Sequence, residues 1–65
     1  MSRIVVLGGA ESGVGAAVLA KVKGFDVFLS DYGKISEHFA DELRKWDIAF
    51  EEGHHTEDLI LNADE

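Results

Sequence analysis

Sixty-five residues bound this chain to one small domain, and a domain of that size buries only about 60% of the surface its unfolded form exposes. Without cysteine it has neither a disulfide framework nor a thiolate metal site, and no apolar run approaches the length of a membrane span. Thirteen acidic against six basic residues give a formal net charge of −7, which argues against nonspecific nucleic-acid binding, a mode that needs basic surface to neutralise phosphates.

The same negative field opposes anionic small ligands, so a phosphate bound here must be held by local backbone donors. The excess acid is concentrated late in the chain, from Asp41 to Glu65, and reads as a solvated surface. No targeting segment is evident before the first apolar run, so a cytoplasmic, soluble protein with no membrane partner is expected.

The first predicted element is a strand over residues 3–8. Its continuous, β-branched apolar run, Ile4-Val5-Val6-Leu7, suits a central strand of a parallel sheet, buried on both faces. A helix is expected from Gly13 to Lys23, with Ser12 as N-cap and with Val14, Ala17, Val18 and Val22 on its inner face. Gly24 is placed to end it in the left-handed conformation, with Phe25 folding back over Leu19 and Ala20.

Residues 26–30 read as a second strand, and Asp31-Tyr32-Gly33-Lys34 as a turn. A second helix follows, capped by Ser36, with Phe39, Ala40, Leu43 and Trp46 facing inward and an Asp41–Lys45 pair on the outer face. Ile48-Ala49-Phe50-Glu51 is a short third strand and Glu52-Gly53 a turn. Thr56 caps a last helix through Leu61, with Glu57 and Asp58 in its first turn. This βαβαβα order implies an α/β fold with a short parallel sheet and right-handed crossovers. If the first strand is central, one of its edges stays unpaired and is a template for self-association.

The glycine cluster Gly8-Gly9-Ala10-Glu11-Ser12-Gly13-Val14-Gly15 carries most of the functional information. It joins a strand to a helix start, where backbone N–H groups lack partners and the helix dipole favours an anion. Measured against the dinucleotide fingerprint Gly-x-Gly-x-x-Gly, the first and third glycines are present as Gly8 and Gly13. Ala10 replaces the middle one, which weakens an NAD(P)-binding Rossmann reading without removing it. Val14 and Gly15 stand where a P-loop requires Lys and Ser or Thr. The glycines also fit a second reading, a tight turn with Gly13 and Gly15 letting the helix pack close to the sheet. Asp31 ends the second strand, 23 residues after Gly8, where such a unit places its ribose contact; a polar strand end is the alternative.

Four stretches, Arg3-Ile4-Val5-Val6-Leu7-Gly8, Glu11-Ser12-Gly13-Val14-Gly15-Ala16-Ala17, Gly24-Phe25-Asp26-Val27-Phe28 and Glu51-Glu52-Gly53-His54-His55-Thr56-Glu57, together resemble the N-terminal domain of the Mur ligase family. Within it the likeness is to the D-glutamate-adding branch in its Bacteroidetes-like form, and it covers all 65 residues. The last stretch, Leu61-Asn62-Ala63-Asp64-Glu65, is similar to the approach to that domain's next strand. The resemblance implies a Rossmann-like three-layer αβα domain over residues 1–65, truncated before a further strand.

Such a domain does not bind NAD but holds the UDP end of UDP-N-acetylmuramoyl-L-alanine. Carried over residue by residue, the family pattern puts Gly9, Ala10, Glu11, Ser12 and Gly13 around the diphosphate, with backbone N–H groups and the Ser12 hydroxyl as donors. It puts Asp31, Tyr32 and Gly33 near the uracil and ribose. Tyr32 and Gly33 depart from members with Thr and Arg there. Glu11 departs from members with an apolar residue, and its side chain must point away from the diphosphate. ATP, Mg²⁺ and a carbamylated lysine belong by this resemblance to a central domain outside the chain. There ATP phosphorylates a carboxylate that the amine of D-glutamate attacks. No cofactor and no catalytic residue is expected in this segment, which alone is inactive.

The remaining candidates are weaker. His54-His55 with Glu57 and Asp58 offer metal-ligand chemistry, but adjacent histidines splay apart on most backbones and no further ligand falls at a suitable spacing. Ser12 lacks the Gly-x-Ser-x-Gly context of a nucleophile elbow. No carboxylate pair is spaced for acid–base work. Three readings therefore stand: a UDP-holding module, an NAD(P)-binding unit, and a segment without binding that associates through its strand edge.

Overall fold

Apolar residues alternate between strand and helix spacing along the chain, and the backbone follows. The computed structural model describes residues 2–61 and 63. In order the elements are β1 (Arg3–Leu7), α1 (Glu11–Val22), β2 (Asp26–Asp31), α2 (Glu37–Lys45), β3 (Ala49–Glu52) and α3 (Glu57–Leu61). The three strands form one parallel sheet in the order β1-β2-β3. The expected approach to a further strand falls mostly on Asn62, Asp64 and Glu65, which lie outside the described residues.

The register sorts the side chains by face. Ile4 stands beside Val27, Val6 beside Leu29, and Leu29 beside Phe50. This face packs with Val14, Ala17 and Ala20 of α1 and with Ala40 and Leu43 of α2, closed by Ile35 and Ile48. The opposite face carries Phe28 and Ser30, both buried. There the Arg3 guanidinium lies 5.5 Å from the Phe28 ring centroid and reaches the Leu59 carbonyl of α3 at 3.5 Å. Helices thus flank both faces, in a short Rossmann-like α/β arrangement.

Among the described residues β1 pairs on one side only, with β2, and so presents the unpaired edge expected of it. The central strand is β2, which pairs on both sides and is buried over Val27–Ser30, whereas residues 3–6 are only half-buried and Leu7 is exposed. On α1 the buried positions are Val14, Ala17 and Ala20, a stripe that advances by three and turns Val22 out to solvent.

The helix ends show the same mixture of agreement and correction. Gly24, at φ +92°, closes α1 as expected: its N–H donates to the Lys21 carbonyl and that of Phe25 to Ala20. Phe25 packs against the core while Leu19 stays exposed. At the end of α2 the equivalent left-handed residue is Asp47, φ +57°. The N-cap of α1 is Ala10 rather than Ser12, because the chain turns helical two residues earlier. Ser36 caps α2 by position, without a side-chain bond. The expected Asp41–Lys45 pair is replaced: Arg44 Nη1 reaches both Asp41, at 2.9 Å, and Glu37, at 3.0 Å, its two N–H groups serving carboxylates on neighbouring turns. Trp46 is partly exposed and donates its indole N–H to Glu42.

Only one of the two helical glycines serves close packing. Open space surrounds the position where Gly15 would carry a methyl group. Gly15→Ala is therefore expected to stabilise the chain by about 0.5–1 kcal/mol, seen as a higher urea midpoint with an unchanged slope.

Candidate functional site

The site begins where β1 ends. The Gly8 N–H donates to the Ser30 carbonyl at 2.8 Å, which extends the ladder to β2 before the chain turns into α1. A Cβ built on Gly13 would lie 1.9 Å from the Gly8 carbonyl oxygen. The first turn of α1 is thus pressed onto the end of β1, closer than any side chain permits. Leu7, Gly8, Gly9, Ala10, Ser12, Gly13 and Asp31 line a shallow cavity of about 290 Å³ there. The first α1 hydrogen bond runs from the Val14 N–H to the Ala10 carbonyl. The N–H groups of Glu11, Ser12 and Gly13 precede it, so the helix offers them no acceptor, and they carry the positive end of its dipole.

Asp31 closes the cavity from β2. Its Oδ2 accepts the Gly9 N–H at 2.7 Å and its Oδ1 accepts the Gly33 N–H at 2.9 Å. The first bond ties the glycine turn to β2, and the second bends the chain tightly around Tyr32. The Gly53 N–H donates to the Gly33 carbonyl at 2.7 Å, which brings in the loop after β3. The loops after all three strands therefore meet at one end of the sheet, where open parallel sheets hold ligands.

Of the residues singled out from sequence, Gly9, Ala10, Ser12, Gly13 and Asp31 come together around the cavity. Gly9 is buried against Ile35 and commits its N–H to Asp31, so it contributes shape. Glu11 is exposed and outside the lining. Tyr32 and Gly33 are exposed and lie just beyond it; the Tyr32 ring meets the His55 ring in a T-shaped contact, with centroids 5.6 Å apart.

Sequence reasoning missed a polar cluster on the far face. Ser30 is fully buried, and its hydroxyl donates to Glu51 Oε2 at 2.8 Å. With that proton committed, its oxygen is placed to accept from a protonated His55 Nδ1. Glu51 also accepts the Thr56 N–H at 2.7 Å and the Thr56 hydroxyl at 2.6 Å, so Thr56 caps α3 by position, its carbonyl accepting the Leu59 and Ile60 N–H groups, while its side chain serves Glu51. His54 Nε2 lies 3.1 Å from the same carboxylate. The available signal was a serine in an otherwise apolar strand. What hid the cluster is register, because parallel pairing sets Ser30 beside Glu51. Ser30 is buried beneath this cluster, out of reach of a substrate in solution.

The Thr56 N–H, then the Thr56 hydroxyl, and also Ser30 and His54, hold the Glu51 carboxyl down to about 2 from an ordinary 4.5, against the upward push of desolvation. A carboxyl lowered on folding adds stability that is complete above the unfolded value and lost as pH falls through the folded one. Unfolding free energy is therefore expected to drop between pH 4.5 and about 2, and Glu51→Gln to flatten that slope in urea titrations at stepped pH.

Among the described residues no group of three or more histidine or acidic side chains is placed to hold a metal ion, and no helix is long and apolar enough to cross a membrane.

Comparison with known proteins follows the same lines. The chain is 65% identical, over its full length, to a protein of Bacteroides thetaiotaomicron named UDP-N-acetylmuramoylalanine--D-glutamate ligase. It is 60% identical over 95% of its length to the protein of that name from Porphyromonas gingivalis, and 38% identical over 89% to that from Chlorobium phaeobacteroides. It spans 15%, 14% and 12% of the lengths of these three relatives. No solved structure matches it significantly. The family model described as the MurD N-terminal domain matches residues 3–65, so this chain belongs to the MurD N-terminal domain family.

Proposed function

We propose that residues 1–65 form the opening, incomplete domain of a D-glutamate-adding ligase of peptidoglycan synthesis, and that this segment holds the UDP end of UDP-N-acetylmuramoyl-L-alanine. The observation that carries the reading is the close approach of Gly13 to the Gly8 carbonyl, which shapes a cavity beside unpartnered helix N–H groups. The names of the relatives support the substrate.

In this reading the N–H groups of Ala10 to Gly13 and the Ser12 hydroxyl take the diphosphate. Backbone donors can do so against a net charge of −7 because they act at contact distance. Asp31 uses one lone pair of each oxygen on Gly9 and Gly33 and keeps the others for a ribose hydroxyl. Tyr32 and Gly33 stand by the base. The exposed position of Glu11 fits a side chain turned away from the phosphates. Activation of the carboxylate by ATP and Mg²⁺ and attack by D-glutamate belong to other domains of a cytoplasmic enzyme, so this segment alone performs no ligation.

A ¹H–¹⁵N titration of the chain with UDP-N-acetylmuramoyl-L-alanine, UDP and NADH tests the reading. Shifts at residues 9–13 and 31–33 with the uridine ligands only are the expected result. Shifts with NADH alone would replace it with the dinucleotide reading.

A further inference from the structure

We propose that Tyr32 is the stacking surface for the pyrimidine base of the nucleotide, and that His55, from the loop after β3, is the positioning residue that holds the Tyr32 ring ready. This rests on the diphosphate reading of the cavity and goes beyond it. Tyr32 is 73% exposed, yet it is held at several points. Its neighbours Asp31 and Gly33 are joined by the Oδ1 bond that bends the chain around it. The Gly33 carbonyl is tied to Gly53. The ring itself stands at 76° to that of His55.

His55 is fixed in turn from beneath. Its Nδ1 is bonded to the buried Ser30 hydroxyl, whose proton points to Glu51. A chain of contacts thus runs from the interior of the sheet to an aromatic ring at the surface. An exposed aromatic side chain ordinarily samples several rotamers; this one is pre-set, which lowers the ordering cost of a stacked complex. The ring directly follows Asp31, which lines the cavity, so a ribose bridges from a diphosphate in the cavity to a base on Tyr32. Stacking on a tyrosine suits a planar base and needs no hydrogen-bonding side chain, so Gly33 beside it supplies only backbone.

Tyr32 is the one tyrosine of the chain, so its ring signals identify themselves. With saturating UDP, nuclear Overhauser contacts between the Tyr32 ring and uracil H5 and H6 are expected, with upfield shifts of both protons. Tyr32→Ala is expected to weaken UDP about ten-fold, the size of one aromatic–base stack, and to leave inorganic pyrophosphate binding unchanged. Tyr32→Phe should retain UDP affinity. His55→Ala should weaken UDP but not pyrophosphate, and its effect should vanish in the Tyr32→Ala background, as a purely structural role would not.

UDP shifts at residues 9–13 without ring contacts, and with full affinity in Tyr32→Ala, would overturn the stacking role and leave the diphosphate reading intact. A His55→Ala effect that persists without Tyr32 would overturn the positioning role. Absence of shifts with both UDP and pyrophosphate would remove the diphosphate reading and this one with it.

Discussion

Gly13→Ala is expected to cost roughly 3 kcal/mol, the upper end of what an overfilled site loses, and to abolish uridine nucleotide binding. The added methyl would stand 1.9 Å from the Gly8 oxygen and 3.0 Å from its carbonyl carbon. Both are backbone atoms, so no rotamer change relieves the clash. The Gly8 peptide cannot retreat freely either, since its N–H is bonded to Ser30. Either the end of β1 or the start of α1 must move, and the cavity lies between them. Alanine would gain about 1 kcal/mol of helix propensity, too little to compensate. A domain of this size has a net stability of only about 3–10 kcal/mol, so the loss is visible in urea titration and in calorimetry with UDP. Gly15→Ala is the internal control: two residues along the same helix, the same change raises stability. A Gly13→Ala protein with unchanged midpoint and affinity would refute this account of the turn.

Asp31→Ala is expected to cost about 2 kcal/mol and to loosen the glycine turn. Gly9 is buried, and its N–H would lose its acceptor, a desolvated donor that costs about 1–3 kcal/mol when left unpaired. Gly33 is exposed and would find water instead. Asparagine keeps one acceptor oxygen, so Asp31→Asn should fall between. Hydrogen exchange of the Gly9 amide reads the effect directly and should quicken in the alanine variant. Protection equal to wild type would show that the carboxylate does not brace the turn.

The contrast between these residues explains what the sequence disclosed. The order of elements was legible because spacing and glycine punctuation are local signals, and Gly24 ends α1 where its position demands. Ser12 misled as a cap because the identity of a residue does not say how early the chain turns helical. At the site, the glycine cluster and Asp31 announced themselves by spacing, and their meeting at the cavity followed. Asp31 as a brace for Gly9 did not, nor did the Ser30–Glu51–His55 cluster. Both arise from residues more than twenty positions apart that only pairing brings together.

Bonds from Asp31 to Gly9 and from Gly33 to Gly53 make one rim of three loops that begin far apart in the chain. Among the described residues these bonds tie the three loops to one another. A nucleotide bound as proposed would meet backbone whose conformational entropy was already lost when the sheet assembled, so its own ordering would dominate the entropy of association. Recognition there would be closer to a rigid fit than to an induced one.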